Sequence, residues 1–433
     1  MSEVRNWSGA VRFRPREVAR PSSEKAVAEL LAAAGENGRP VRVIGAGHSF
    51  TPLVETDGVL VSLDALTGVE RVDAATGEVW LRGGTRIREI GPLLAPYGLA
   101  LPSMGDIDAQ SIAGAVSTAT HGTGLAFTGY SGIVTGLRVA LPGGDVVACS
   151  RDERPELFEA ARVGLGAFGV IVAVRLACVP AFALEAVETT EPAEAVLEGF
   201  VERAREADHL EFFWFTGTPR VTVKHNRRLP GDAPTAPMTR FDRAVNREFL
   251  GNTVFGALAG VTSRVPGLAA PVRGFASRLM AGGTFSDASH RVFVAPRRVR
   301  FHETEFAMPL DAFPDVVREV ERAIVRSRIP LTFPIEVRVS GADDTWLGTA
   351  SGRESVYVAV HRYDRELFAP LAKVVWPVFR AYGGRPHWGK DHAYGAEEFA
   401  GLYPRFADAQ RVRAEVDPGG VLLNPHLRRV FGV

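Results

Sequence analysis

The hydrophobic pattern of the first 180 residues alternates between helical and strand spacing. In residues 23–36, apolar side chains recur three and four positions apart, behind a serine (Ser22 or Ser23) that can cap a helix. Residues 85–98 predict a second helix, ended by Gly98. Apolar runs predict strands at residues 39–45, 58–66 and 77–84, a hairpin at residues 134–150, and a glycine-rich turn feeding a strand at residues 164–179. The intervening residues 67–77 have the composition of a turn.

From residue 181 onward, the pattern changes to longer runs with strand alternation. Strands are predicted at residues 210–215, 220–225, 290–296, 299–310, 331–341 and 355–363. Residues 314–328 carry charge pairs at helical spacing and predict an amphipathic helix. Residues 381–395, which contain proline and glycine, precede a last helical segment. The pattern therefore predicts an α+β protein with two domains, residues 1–180 and 181–385, and a C-terminal segment, residues 386–433.

Composition narrows the classes of function. The chain has 433 residues, 46% hydrophobic and 23% charged, which is typical of a globular protein large enough for two cores. Fifty basic residues balance fifty acidic ones, so nucleic acid is not expected as a partner. The two cysteines, Cys149 and Cys178, are too few for a disulfide framework or a structural zinc site, and no signal peptide is predicted. A cytoplasmic location is therefore expected.

The longest apolar stretch lies around residues 249–282. Arg264, Pro266, Arg273 and Arg278 interrupt it, so no membrane-spanning helix is predicted. Two interpretations stay open. The stretch is either a pair of helices that packs on the core of the second domain, or a surface that contacts a membrane or a lipid-soluble electron acceptor.

The segment Val41–Phe50 (VRVIGAGHSF) places a histidine, His48, after two glycines at the end of a predicted strand. A dinucleotide fingerprint would need a third glycine where Phe50 stands, and a P-loop would need a following Lys-Ser/Thr pair. Partners at zinc-ligand spacing are also lacking. Taken alone, such a histidine is most often structural.

Two further segments are rich in small residues, Leu101–Gly124 (LPSMGDIDAQSIAGAVSTATHGTG) and Gly164–Ile171 (GLGAFGVI). Small side chains let a backbone approach a ligand closely, and amide and hydroxyl groups donate to phosphate oxygens. Alone, the first segment equally indicates a tight contact between a helix and a sheet. Together with the His48 turn, these loops favour a long, phosphate-bearing cofactor across the first domain.

Ionisable residues follow in the second half of the chain. In a strand over residues 334–340 (PIEVRVS), alternation places Glu336, Arg338 and Ser340 on one face. An ion pair on a solvated face is the common outcome of such a pattern. The run His387–Lys390 (HWGK) is, in most proteins, an ordinary surface turn.

Four motifs occur along the chain in this order: GAGHSF, the 101–124 segment, IEVR and RPHWGK. In these motifs, the chain resembles the vanillyl-alcohol-oxidase family of flavoproteins, in its sugar-1,4-lactone and alditol oxidase branch. The resemblance covers essentially the whole chain. It implies a two-domain FAD-binding type-2 (PCMH-like) fold with a cap domain on a mostly antiparallel sheet. It also implies FAD, covalently attached to His48 through a ring nitrogen, and no metal. The implied cofactor-binding residues are Ile44, Gly45, Ala46, Gly47, His48, Ser49, Gly105, Asp106, Ser111, Gly114, Thr118, Ala119, Thr120, His121, Gly122, Val170, Ile171, His387 and Lys390.

The resemblance also implies which residues are catalytic. The Glu336–Arg338 pair would line the substrate pocket, where Arg338 holds and polarises substrate oxygens and Glu336 orients the hydroxyls and Arg338 itself. Lys390 would stabilise the negative charge that develops near the flavin N1 and C2 carbonyl. His387 would support this loop. Asn424 would be structural, in a C-terminal tail (residues 386–433) that returns to the flavin domain.

The activity implied is oxidation of a gulono- or arabinono-1,4-lactone by hydride transfer to FAD N5. Reoxidation would use O2, giving hydrogen peroxide, or another acceptor, and Gly105 would leave room for O2. Asp106 stands where alditol oxidases carry a serine, which counts against the alternative, an alditol oxidase acting on polyols. Outside enzymes, the alternative is a flavin-binding protein without turnover.

Overall fold

The computed structural model describes residues 3–231, 233–279, 283–295 and 297–433. Its N-terminal part contains the strands β1 (Val4–Arg5), β2 (Arg12–Phe13), β3 (Glu17–Ala19), β4 (Val41–Ile44), β5 (Val59–Ser62), β6 (Val69–Asp73), β7 (Glu78–Arg82), β8 (Leu99–Ala100), β9 (Val134–Ala140), β10 (Val146–Ser150), β11 (Val170–Ala177) and β12 (Val179–Pro180). The helices of this part are α1 (Glu24–Glu36), α2 (Ile87–Leu94), α3 (Ile112–Ser117) and α4 (Pro155–Arg162). Strands β3, β5 and β4 form a parallel sheet, whereas β10, β9, β11, β7 and β6 form an antiparallel one.

One large antiparallel sheet organises the second part. Its strands are β13 (Ala183–Pro192), β14 (His209–Trp214), β15 (Arg220–Arg228), β16 (Thr284–Ala288), β17 (Phe301–Pro309), β18 (Ile335–Ser340), β19 (Ser355–Tyr363) and β20 (Arg385–Pro386). They lie in the order β16-β13-β15-β14-β18-β19-β17-β20. This sheet confirms the prediction of a cap built on mostly antiparallel strands. The exact domain bounds, 1–180, 181–385 and 386–433, stay predictions.

Helices flank this sheet and complete the chain. They are α5 (Ala193–Glu206), α6 (Arg240–Asp242), a π-helical segment (Arg243–Val254), α7 (Phe255–Arg264), α8 (Ala269–Leu279), α9 (Ser289–Phe293), α10 (Asp315–Ser327), α11 (Ala369–Ala381), α12 (Ala396–Leu402), α13 (Phe406–Val416) and α14 (Pro425–Phe431). Short 3-10 turns lie at Ala95–Tyr97, Tyr130–Ile133, Pro266–Leu268 and Leu310–Ala312. Within the described residues, no helix has the length and apolar character that crossing a bilayer requires.

Several sequence predictions agree with local geometry. Ser23 caps α1 by accepting a hydrogen bond from the Ala26 N–H, and Gly98 ends the second helical region with φ +66°. The apolar stretch around residues 249–282 is helical over its described residues except Val265; positions 280–282 lie outside them. This supports the interpretation of a helix pair.

Two element predictions are wrong. Residues 67–77 contain a strand, β6, because Val69 and Val72 pair with β7 between the two turn-forming ends of the segment. Residues 290–296 do not form a strand: α9 covers Ser289–Phe293, and position 296 lies outside the described residues. There the burial of Val292 and Phe293 overrides the strand propensity of valine.

The C-terminal helices return to the first domain. The Asn424 side chain caps α14 and donates through Nδ2 to the carbonyls of Pro52 (2.8 Å) and Glu55 (2.9 Å), immediately after the His48 turn. The ring of Phe431 packs edge-on against Phe168, with centroids 5.6 Å apart. The tail therefore closes the first domain, as the resemblance implies.

The buried side chain of Arg42 also connects the C-terminal tail to the first domain. Its side chain is 2% exposed and donates to the carbonyls of Leu53 (2.7 Å), Leu165 (2.7 Å), Gly166 (3.0 Å) and Leu422 (2.5 Å). One guanidinium thus satisfies carbonyls from three separate segments of the chain.

We expect Arg42→Met to destabilise the protein, because it leaves several buried carbonyls without donors, each costing about 1–3 kcal/mol. The check is thermal unfolding of the purified protein beside Arg39→Met, which alters an exposed arginine just before β4. A melting temperature several degrees below that of the control is expected. Equal melting temperatures would contradict this role for Arg42.

Candidate active site

The His48 turn is fixed on two sides. Gly47 adopts φ +67°, a conformation that favours glycine, and a Cβ on Gly45 would lie 2.4 Å from Ser111 Oγ at the start of α3. The N-terminal residues hold the turn from outside: the Trp7 N–H donates to the Gly47 carbonyl (2.7 Å), and Asn6 Nδ2 donates to the Ser49 carbonyl (2.9 Å). The backbone at His48 is therefore tightly positioned.

The imidazole of His48 is held in a form that can act as a nucleophile. It stacks on the Trp7 ring, with centroids 5.3 Å apart and planes 22° apart. Burial, and then the positive charges of Lys390 and Arg86, lower the pKa of His48 to about 4. At neutral pH, the ring is therefore uncharged, and one nitrogen keeps a free lone pair.

The Lys390 loop lies directly against the His48 turn. The Phe50 N–H donates to the Gly389 carbonyl (2.7 Å), and Thr51 Oγ1 donates to the Trp388 carbonyl (3.1 Å). Lys390 Nζ pairs with Glu303 and lies 5.2 Å from the centre of the Phe50 ring. Burial disfavours the ammonium, but Glu303 and Glu305 outweigh that effect and raise the pKa of Lys390. It is therefore a cation throughout the neutral range.

Glu336 and Arg338 lie on the central strand β18, and both are buried at 8% exposure, not on a solvated face. Arg338 Nη2 lies 2.5 Å from Glu336 Oε1, and Arg338 Nε lies 2.7 Å from Glu211 Oε2. Asp106, from the first domain, is 3.5 Å from Arg338. The strand alternation was predicted correctly. The alternative of an ion pair on a solvated face does not hold, because Asp106 from the first domain and side chains of the neighbouring strands pack over this face.

The crowding of carboxylates changes the acidity of Glu336. Burial is the largest effect; Asp106 and Glu211 add to it, and Arg338 opposes them, so the pKa of Glu336 rises to about 7. A carboxylate with such a pKa can accept and release a proton near neutrality. By contrast, the two arginines beside Asp106, Arg338 and Arg297, hold the pKa of Asp106 well below its usual range despite its burial.

Sequence reasoning missed several charged residues of this site. His361 on β19 has Nε2 3.5 Å from Glu303 Oε1 and 3.9 Å from Glu336 Oε2. Burial lowers its pKa, but Glu303 outweighs burial and raises it. Arg297 lies 3.0 Å from Asp106. The sequence signal that could have found His361 and Glu303 is an ionisable residue within a predicted strand, as in VYVAVH and HETEF.

Two cavities meet at His48. A wide one of about 750 Å³ lies between the two domains and is lined by Gly105, Asp106, Thr120, His121, Glu336, Arg338, His387 and Lys390, among others. A narrow one of about 100 Å³ is lined by Ile44, Gly45, Ala46, Gly47, Ser111, Gly114, Val170 and Ile171, among others. His48, Ser49 and Thr118 line both. The structure thus brings these predicted residues together along one path.

Two predicted cofactor-binding residues lie behind the cavity walls. Ala119 is buried, with φ +56°, and lines neither cavity. Gly122 also lines neither, and a Cβ there would lie 2.5 Å from the Met104 carbonyl oxygen. Both therefore shape the 101–124 segment and do not border the cavity space.

His121, Glu305 and His387 form a buried cluster at the base of the wide cavity, with potential ligand atoms within 4.8 Å of one another. Their contacts are largely taken up within the protein. His121 Nε2 lies 3.3 Å from Glu305, and His387 Nδ1 accepts from the Gly389 N–H (3.1 Å). Burial lowers the pKa of His387 to about 3. The absence of a metal stays a prediction.

The combined cavity fits a flavin nucleotide. Glycines and short side chains line the narrow arm, which suits a pyrophosphate bound by main-chain groups. A Cβ at Gly45 would lie 2.4 Å from Ser111 Oγ, so a larger residue there would narrow this arm. The wide arm offers the volume for a ring system with the ammonium of Lys390 in its wall. His48 stands at the junction of the two arms.

Comparison with known proteins identifies the family. The family described as D-arabinono-1,4-lactone oxidase matches residues 174–430, and the FAD binding domain family matches residues 15–150. The chain belongs to the D-arabinono-1,4-lactone oxidase family. It is an FAD-dependent oxidoreductase with the vanillyl-alcohol-oxidase-type fold, which confirms the resemblance, the cofactor and the enzyme class predicted from the sequence.

Several known proteins align with nearly the whole chain. The chain is 37% identical over 427 residues to L-gulono-1,4-lactone dehydrogenase from Mycobacterium tuberculosis, covering 99% of this chain and 98% of the relative. It is 28% identical to L-gulonolactone oxidase from Bos taurus, with coverage of 99% and 98%. Alditol oxidase from a Streptomyces species is 29% identical, with 98% of each chain covered.

Solved structures support the fold alone. A solvent-stable cholesterol oxidase superposes with a TM-score of 0.86 at 17% identity, covering 100% of this chain and 97% of that chain. Cholesterol oxidase from Brevibacterium sterolicum gives 0.85 at 17% identity, with 99% and 96% covered. These likenesses confirm the predicted two-domain FAD-binding architecture for this family member.

Proposed function

We propose that this protein oxidises a sugar-1,4-lactone of the gulono or arabinono type. The observation that carries the proposal is the convergence of Glu336, Arg338 and Lys390 on the cavity that His48 borders. Family membership supports a lactone as the substrate class, and an electron acceptor must complete the cycle. The expected product is the lactone oxidised at a carbon that carried a hydroxyl group.

FAD would lie along the two arms of the cavity. Main chain and small side chains from Ile44 to Ser49, with Ser111, Gly114, Val170 and Ile171, would hold its pyrophosphate half. A ring nitrogen of His48 would carry the bond to the 8α-methyl carbon of the flavin, because the uncharged imidazole is available there. Bound FAD supplies an acceptor for the two electrons of the oxidation.

Three residues of the wide cavity would act on the substrate and on the flavin. Arg338, fixed by three carboxylates, would hold the substrate oxygens beside the reacting carbon. Glu336 would accept the proton of the substrate hydroxyl, since its pKa of about 7 suits a base at neutral pH. The Lys390 ammonium would stabilise negative charge at the flavin edge without reorganising.

Asp106 favours a lactone over a polyol. Its carboxylate is paired with Arg297 (3.0 Å) and Arg338 (3.5 Å). Asp106 therefore presents a paired charge at the position where the serine hydroxyl of an alditol oxidase would hydrogen-bond a polyol. Alditol oxidation is the second candidate, since a relative with that name aligns over the full chain. Anaerobic bleaching of the flavin with matched lactones and polyols separates the two, and rapid bleaching by polyols alone would refute the lactone assignment.

We also propose the type of electron acceptor and the cellular location. Gly105 lines the wide cavity, and the absence of a side chain there would leave O2 or another acceptor access to the site. The unpaired Cys149 and Cys178 support a cytoplasmic location. A peripheral membrane contact would involve the helical segment after β15.

For the covalent link, we expect His48→Ala to release its flavin into the supernatant after acid or denaturant treatment, whereas the wild type keeps it on the precipitated chain. The half-buried His225 lines neither cavity, and His225→Ala is the control. Absorbance of the supernatant measures the release. Complete release from the wild type would show that no bond is made.

For Lys390→Ala, we expect kcat to fall by about 10²–10³-fold, with a much smaller change in KM, because the ammonium acts on charge that develops during the reaction. Steady-state kinetics on a lactone measure both constants. Lys373→Ala, at an exposed position on α11, is the matched control and should behave as the wild type. An unaltered kcat would remove Lys390 from the mechanism.

For Glu336, we expect kcat/KM to rise with pH through about 7 and then level off, because only the carboxylate form accepts a proton. Glu336→Gln cannot ionise, so it should lose both most of the activity and this ascending limb. A pH profile of each enzyme provides the measurement. If the glutamine variant keeps the limb, another group accounts for it.

A further inference from the structure

His361 lies between two carboxylates of the wide cavity, next to Glu336. It stands on β19, directly opposite Glu303 on β17. On the other side of β19, Glu336 of β18 is opposite Ala359, two positions before His361. Residues two positions apart on a strand share a face, so these three ionisable side chains project from one face of the sheet. All three are buried and line the cavity.

Each nitrogen of the His361 imidazole faces a hydrogen-bond acceptor. Nδ1 lies 3.3 Å from the carbonyl oxygen of Pro334, which can only accept a hydrogen bond, so Nδ1 carries a proton. Nε2 lies 3.5 Å from Glu303 Oε1 and 3.9 Å from Glu336 Oε2. Because ionised carboxylates also only accept, this arrangement favours the imidazole with a proton on both nitrogens, which is the cation.

Aromatic rings enclose the imidazole of His361. The Phe301 ring meets it edge-on, with centroids 4.9 Å apart and planes at 89°, and the centroid of the Phe333 ring lies 6.3 Å away. Water and salt screen buried charges far less than exposed ones. A positive charge on His361 therefore acts strongly on the carboxylate of Glu336.

Charges of both signs surround Glu336 and His361. They come from several elements: Arg338 on β18, Glu211 on β14, Glu303 on β17, Asp106 in the first domain, Arg297 before β17 and Lys390 after β20. Burial, then Asp106 and Glu211, favours the protonated form of Glu336. Glu303 outweighs the effect of burial on His361 and raises its pKa, which keeps the imidazole charged near neutral pH. His361 thus supplies a cation on the Oε2 side of Glu336.

We propose that His361 is a positioning residue that keeps Glu336 ionised and oriented for proton transfer, a role that rests on Glu336 being the base of the proposed reaction. Arg338 holds Oε1 of Glu336, and the imidazolium of His361 faces Oε2, so each carboxylate oxygen has a cationic neighbour. In the transfer, the O–H bond of the substrate hydroxyl breaks and an O–H bond to Glu336 forms. His361 keeps its own protons, and Glu303 balances its charge while Glu336 is neutral.

The test is the pH profile of kcat/KM for His361→Gln, measured on the FAD-loaded enzyme with a lactone. Removal of the positive charge favours the protonated form of Glu336, so the midpoint of the ascending limb should move up by about one pH unit or more. Glu211→Gln removes a negative charge and should move the midpoint down. These opposite shifts separate an electrostatic effect on Glu336 from a general disturbance of the site.

His225→Gln is the matched control, because it makes the same substitution at a histidine that lines neither cavity. It should keep the wild-type midpoint. An unmoved or lowered midpoint in His361→Gln would overturn the proposal. Retention of the ascending limb by Glu336→Gln is a separate result, which would remove Glu336 as the base and this proposal with it.

A second measurement needs neither turnover nor a folded His361 variant. Coupling between two titrating groups is reciprocal, so Glu336 must favour the charged form of His361 as His361 favours the carboxylate. NMR of protein labelled at the histidine Cε1 carbon gives the titration midpoints of the ten imidazoles. In Glu336→Gln, one midpoint should fall by about one pH unit. Ten unchanged midpoints, or a shifted signal that His361→Gln retains, would contradict the coupling.

Discussion

The site depends on the mutual neutralisation of charges that the fold buries. Arg338 is surrounded by Glu336, Glu211 and Asp106, and Lys224 lies 3.4 Å from Glu211. An unpaired charge at such depth would cost several kcal/mol, on the order of 3–5. Each group is therefore stable only in the presence of the others. This constraint fixes the side chains before any substrate arrives.

The charges come from separate parts of the chain, and the sheet brings them together. Strands β14 and β18 are adjacent, which places Glu211 within reach of Arg338. Strand β19 lies on the other side of β18 and contributes His361. Asp106 comes from the first domain, and the loop of Lys390 is hydrogen-bonded to the His48 turn. The electrostatic network thus joins the two domains around a single cavity.

Local patterns in the sequence predicted the parts of this arrangement that depend on near neighbours. The His48 turn, the strand with Glu336 and Arg338, and the family were all recognisable from short motifs. The residues that were missed, His361, Glu303 and Arg297, acquire their roles only when distant strands pair. Their partners are separated by tens of residues or more, and no spacing rule reports such contacts. The strand in residues 67–77 and the helix α9 were mispredicted for the same reason, since neighbours in space decided their form.

We propose that a pre-formed guanidinium, that of Arg338 fixed by three carboxylates, positions the lactone for oxidation. Stopped-flow measurement of anaerobic flavin bleaching in Arg338→Lys tests it most directly, because lysine keeps the charge but cannot reach the three carboxylates with a planar fork. We expect FAD to stay bound and bleaching to slow on the order of a hundredfold or more. Bleaching at the wild-type rate by the loaded variant would contradict it.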